Sequence, residues 1–360
     1  MINRRPPNYL GGFKEPRSSR DDAIDAAKGW AIVLIVLGHV LRGLDSAGLL
    51  AEPQLIDRAI YMSHLSVFAL TAALFVRRGV EKRGSWAYVK SRTFLLLYLY
   101  ILWTLIQGVI KLATSGLVNR PTSIGEILAI WAPDTQLWFL PWLLIVSILT
   151  VIAKPWRSSI HAAVFLVVAT LVSLLAWGLI GPVVGTQGLG LVVFFAVGVL
   201  AGPHNLTRLI SQLPTSALFA IVAACGIAVL GSASLDATPP TWYGDTRTVA
   251  SVALGVSASV AGVCGILCAA QATAILRLGW VIYIGRHSLE IFLAHIIAAA
   301  AIRILLVRFG IEDALTQVVF GLFFAIALPL ALAVLAPRLH VSWIFQLPER
   351  KTAQPGEGDR

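Results

Sequence analysis

Residues 23–45 read AIDAAKGWAIVLIVLGHVLRGLD, and the run Ala27–Leu44 within them is uncharged apart from Lys28, His39 and Arg42. A helix crossing the hydrocarbon of a bilayer needs roughly 20 mostly apolar residues. The stretch therefore reads as a transmembrane helix that carries ionisable groups. Such groups are costly inside a membrane, and they mark a functional site by default.

Similar apolar runs recur along the chain at Ile60–Val76, Thr93–Ala113, Leu137–Ala153, Ile160–Ile180, Gly188–Gly202, Ala217–Ser234, Val249–Ala270, Ser288–Val307 and Leu315–Ala336, which makes ten expected spans in 360 residues. Composition agrees. Charged residues make up 13% and apolar residues 58%, against roughly 25% and 45–50% in soluble domains. The expected fold is all-α, a polytopic integral membrane protein of about ten transmembrane helices with the lipid bilayer as its first partner.

With the N-terminus inside and the spans alternating, internal segments hold 21 of the 28 Lys and Arg residues and external segments hold 7, while Asp and Glu divide 9 and 9. A Lys/Arg bias with no acidic counterpart is the positive-inside pattern. Both termini are thus expected in the cytosol, and the net charge of +10 serves topology rather than nucleic acid. The basic loop after span two holds Arg77, Arg78, Lys82, Arg83, Lys90 and Arg92. The expected organisation is a flexible cytosolic tail at 1–21, a membrane domain at 22–346 and a second tail at 347–360. Span one follows a long polar segment with no small-residue cleavage site and reads as an uncleaved anchor. Cys225, Cys264 and Cys268 lie in apolar runs and read as packing, with no disulfide or metal spacing.

Asp25, Lys28, His39 and Arg42 share one helix face. Lys28 and His39 are eleven residues apart, three turns, so His39 stands ~16 Å above Lys28. An imidazole titrates near neutrality and can take a proton from a hydroxyl and release it later. Span nine offers Arg286, His287, Ser288, Glu290 and His295. Arg286 and Glu290, four apart, are expected to pair on the helix surface, and His295 lies deeper among aliphatic residues. No G-x-S-x-G elbow, Walker A loop or H-E-x-x-H motif occurs. On the residues alone three readings stay open: an enzyme with His39 as base, a carrier of a lipid-linked sugar whose path is the stripe, and a scaffold whose polar residues join helices.

The segments Asp22-Ala23-Ile24-Asp25-Ala26-Ala27-Lys28-Gly29 and Ile35-Val36-Leu37-Gly38-His39-Val40 resemble the opening signature of the acyltransferase-3 family. Lys90-Ser91-Arg92, Leu137-Trp138-Phe139-Leu140-Pro141 and the late stretch from Ile284 to His295 resemble three further family segments in the same order. The resemblance implies a membrane O-acyltransferase that moves an acyl group, most often acetyl, from acyl-CoA to a hydroxyl of a sugar, glycan or glycolipid in the cytoplasmic membrane. It implies acyl-CoA as a co-substrate, with no bound cofactor. His39 becomes the general base or relay and Asp25 orients Lys28. Lys28, Arg92, Arg77 and Arg78 become donor-binding candidates, and Trp138, His295 and Glu290 acceptor-side candidates. Lys28 stands where the family more often has Arg, and Gln136 where it often has His.

Overall fold

The computed structural model describes residues 19–51, 53–116, 123–133, 135–241 and 247–348. Among these the chain is helical, with no strand. In order come α1 (Ser19–Asp45), α2 (Gln54–Ala73), α3 (Val76–Arg83), α4 (Ser85–Ala113), α5 (Ile124–Leu128), α6 (Phe139–Ala153), α7 (Ser159–Leu175), α8 (Val192–Ser211), α9 (Thr215–Ser234), α10 (Val249–Ile275), α11 (Gly279–Arg286), α12 (Ser288–Arg308) and α13 (Ala314–Leu335). The expected tails lie outside the described residues except for 19–21 and 347–348.

Among the described residues nine helices are long and apolar enough to span a membrane, and α7, with 17 residues, is a shorter tenth. Each expected span coincides with one of these ten. The fifth, expected to reach Ile180, stops at Leu175. Arg247 donates to the carbonyls of Leu174 and Leu175 at 3.0 Å each and of Trp177 at 2.7 Å. Those bonds cap the helix end, and Gly178 then turns the chain at φ +72°, a conformation that favours glycine. In α8 the helical path breaks at Gly202 (φ +64°), just before Pro203 and just where the sixth span was expected to end.

α1 is the hub, packed against α2, α10, α11, α12 and α13. Ala26, Ala27, Ala31, Ile32 and Val36 are completely buried, as suits a helix with neighbours on all sides. The outer helices behave oppositely. Val164, Val168 and Leu171 of α7, Ile227 of α9 and Leu315 and Phe323 of α13 are exposed. Apolar surface on that scale is anomalous in water and natural against lipid.

Besides the single turn of α5, two short helices were not foreseen. α3 turns the basic loop into an amphipathic helix that buries Val76 and Val80 and exposes Arg77, Arg78, Lys82 and Arg83. α11 crosses α1 at near-zero clearance. A methyl group on Gly29 would strike the carbonyl oxygen of Val281, and one on Gly285 the carbonyl oxygen of Asp25. Trp30 seals the same crossing, with Nε1 donating to Thr273 Oγ1 at 2.9 Å and its ring edge-on to Trp280 at 5.9 Å.

Candidate active site

The close approach of α11 decides which charges meet at the start of α1. Arg286, the last residue of α11, donates from Nε to Asp25 Oδ2 at 3.1 Å and from Nη2 to Asp22 Oδ1 at 2.6 Å. Lys28 Nζ lies 3.3 Å from Asp25 Oδ1, so one carboxylate holds two cations. The expected Arg286–Glu290 pair does not form. The helix breaks at His287 between α11 and α12, and the four-residue spacing loses its meaning there. Glu290 instead approaches His287 Nδ1 at 3.7 Å.

The other donor candidates occupy the same basic end. α3 follows the end of α2, which returns antiparallel to α1, so Arg77 and Arg78 project from that surface. Both are exposed, and Arg77 is taken up by Glu81 at 2.8 Å. Arg92, in the second turn of α4, is half-buried, and its Nε has no hydrogen-bond partner among the described residues.

Between Lys28 and His39 the stripe is filled by Ile32 and Ile35, which are 0% and 3% exposed. Beyond them the polar groups resume. His39 of α1 and His295 of α12 face each other with ring centroids 5.0 Å apart and planes tilted 57°. His295 is completely buried, and its Nδ1 bonds the carbonyl oxygens of Ile291 and Phe292 at 2.9 and 3.0 Å. Carbonyl oxygens only accept, so Nδ1 carries the proton and Nε2 is a bare lone pair. That Nε2 is buried with no partner among the described residues.

Arg42, one turn past His39, is anchored away from it, with Nη1 donating to Asp57 Oδ1 at 3.2 Å and its guanidinium 4.6 Å from the centre of the Tyr61 ring. His64 of α2 joins the group. It is buried, and its Nδ1 lies 2.5 Å from the Ile60 carbonyl.

His39 is half-buried and lies on the wall of a cavity of about 350 Å³. The wall also takes the last turns of α1, α4 and α12 and the first turns of α13. The cavity thus belongs to the end of the bundle opposite Lys28. Gln107 lines it and donates to the Leu293 carbonyl at 3.0 Å, while Gln136 donates to the Phe292 carbonyl at 3.3 Å. These two glutamines pin α12 at the level of His295. Trp138 is outside the described wall, half-buried and edge-on to Phe139 at 5.8 Å. Glu290, in the first turn of α12, sits at the basic end and not beside the cavity.

His64, Gln107, Arg303 and Gln317 are site residues that sequence reasoning passed over. The rule that singled out His39 applies equally to His64, an imidazole within an apolar span. The glutamines give no comparable signal.

The arrangement puts an imidazole on the wall of a cavity, a charge cluster on the opposite side of an apolar layer, and no group of three or more His, Cys, Asp or Glu able to hold a metal among the described residues. No curated protein and no solved structure matches the chain. The profile of the acyltransferase-3 family, described as an acyltransferase domain, matches residues 21–334. That match spans both ends of the stripe, the cavity and nearly all the spanning helices, and the carrier and scaffold readings give way to it: the chain belongs to the acyltransferase-3 family and is a multi-pass membrane acyltransferase that acts on groups other than aminoacyl groups.

Proposed function

We propose that the protein transfers an acyl group, acetyl in the simplest case, from acyl-CoA to a hydroxyl of a sugar, glycan or glycolipid, with His39 as general base. The observation that carries this reading is the position of His39 on the cavity wall, three turns along the same helix face from the Lys28–Asp25–Arg286 cluster.

The chain is read as lying in the cytoplasmic membrane with its basic end cytosolic, the side on which acyl-CoA is made and to which the Lys/Arg bias points. There Lys28 and Arg92, with Arg77 and Arg78 at the surface, supply cations for the phosphates of the donor. Asp25 keeps Lys28 at the helix start. Ile32 and Ile35, packed against their neighbours in this structure, part to let the thioester arm follow the stripe and bring its carbonyl to His39. On the other side the acceptor occupies the cavity. His39 takes the proton of the acceptor hydroxyl as the oxygen attacks the thioester carbonyl carbon. When the tetrahedral intermediate collapses, the C–S bond breaks and the thiolate leaves with that proton, so ester and free CoA are the products. His295 stands beside the base, and Trp138 at the start of α6 flanks the acceptor side.

Purified protein in vesicles, given labelled acetyl-CoA and membrane glycolipids, tests this directly. The wild type is expected to form labelled lipid, and His39→Ala to lose about 10²–10⁴-fold in rate, the usual worth of a positioned base. A correctly inserted His39→Ala protein that keeps the wild-type rate overturns the assignment.

A further inference from the structure

The wall of the cavity beside His39 is chiefly aliphatic, from Val40, Leu44, Ile110, Ile296 and Ile304 among others. Set into it is the guanidinium of Arg303 of α12, and no carboxylate is found on the wall among the described residues. Arg303 Nη1 donates to the Gly43 carbonyl at 2.5 Å, which holds the guanidinium at the end of α1. Gln317 of α13 lines the same space and is 1% exposed. Its Nε2 donates to the Ile311 carbonyl at 2.7 Å, and its Oε1 is buried without a partner among the described residues.

A guanidinium among aliphatic walls is costly without a counter-charge, and so is a buried amide oxygen without a donor. One ligand relieves both if it brings an anion and a hydroxyl. The surroundings define the rest of that ligand. Ala301 lies on the cavity wall and is exposed. It stands seven residues before the end of α12 at Arg308, a depth of ~10 Å along the helix. A cavity mouth at that depth would lie within the hydrocarbon rather than at the water interface.

We propose that the acceptor is an anionic amphiphile that enters sideways from the bilayer past Ala301. Its apolar body fills the aliphatic wall, its phosphate or carboxylate pairs with Arg303, and its hydroxyl reaches Gln317 and His39. This rests on the acyl-transfer reading, and binding tests it apart from turnover.

Native mass spectrometry of the detergent-purified protein makes the test. The probes are phosphatidylinositol, a neutral monoglucosyl diacylglycerol with the same chains, and soluble inositol phosphate. The expected result is at least ten-fold preferential retention of phosphatidylinositol by the wild type. Arg303→Gln should lose the preference, Arg303→Lys should keep most of it, and Gln317→Leu should weaken it with the charge intact. Equal retention of the two lipids by the wild type overturns the proposal, as does an undiminished preference in both Arg303→Gln and Gln317→Leu. Inositol phosphate binding as tightly as the lipid overturns the apolar body. If preference for the anionic lipid stands while no labelled acetyl reaches any lipid, acyl transfer fails and the anionic site does not.

Discussion

His295 presents a bare Nε2 lone pair beside the ring of His39, because both of its described Nδ1 contacts are to backbone carbonyls of its own helix. An imidazole locked in that tautomer can only accept at its free nitrogen. An N–H of His39 turned toward it would leave the other His39 nitrogen as the base facing the cavity. At 5.0 Å between centroids the two rings need only a small rotation to bond.

His295→Leu, which keeps the volume and removes the lone pair, is therefore expected to lower kcat by about 10²-fold with little change in KM for either substrate, the pattern of a lost transition-state interaction. Steady-state kinetics over a pH series checks it. An unchanged kcat and pH profile would reduce His295 to helix glue.

The Asp25 carboxylate serves two cations, both partly exposed. Exposed pairs contribute roughly 0–1 kcal/mol, so Asp25→Asn should barely move Tm. Its effect should appear instead as a several-fold rise in KM for acyl-CoA, since Lys28 loses its tether. Lys28→Arg should lower that KM, because a guanidinium grips phosphate with two parallel bonds. Equal KM values across the wild type and both variants would remove this cluster from donor binding.

Arg42, near the other end of α1, and Asp57 of α2 test a second ion pair. Asp57 is 4% exposed and Arg42 is partly so. Removing one partner of a fully buried pair costs about 3–5 kcal/mol. With Arg42 partly open, Asp57→Asn is expected to cost ~2 kcal/mol. The double variant Arg42→Gln, Asp57→Asn should recover part of that loss in a double-mutant cycle. Additive losses would show that the two residues do not interact.

Glycine substitutions separate packing from propensity. Alanine at Gly29 or Gly285 meets backbone carbonyls of the crossing helix, and overpacking of this kind costs about 1–3 kcal/mol. Alanine at Gly226 or Gly231 of α9 meets nothing within 4 Å and should stabilise by up to ~1 kcal/mol. Thermal denaturation in detergent distinguishes the pairs, and a tolerated Gly285→Ala would contradict the tight α1–α11 crossing.

The spans were legible because an apolar run long enough to cross the hydrocarbon has almost nowhere to go but into a bilayer. Their ends strayed where a distant side chain intervened, as Arg247 does at the end of α7, and where a helix runs on past its apolar stretch, as α4 does in starting at Ser85 rather than Thr93. The stripe on α1 was legible because helical spacing alone fixes it. The partners of that stripe were not. Arg286 reaches Asp22 and Asp25 across more than 260 positions, and nothing local announces that α11 breaks from α12 at His287. His64 and Gln107 likewise gain their meaning from neighbours that only the bundle supplies. The cavity, built from the ends of α1, α4 and α12 and the start of α13, has no linear signature at all.

Ile32 and Ile35 stand fully packed between the charge cluster and the histidines. With donor and acceptor approaching from opposite faces, as proposed, the protein is at risk of becoming a leak, and these two side chains are expected to act as electrical insulation between turnovers. Packed as they are, they are expected to interrupt any file of water along which protons or ions could run down a gradient. Trimming both to alanine should therefore be felt first as a membrane that no longer holds its voltage.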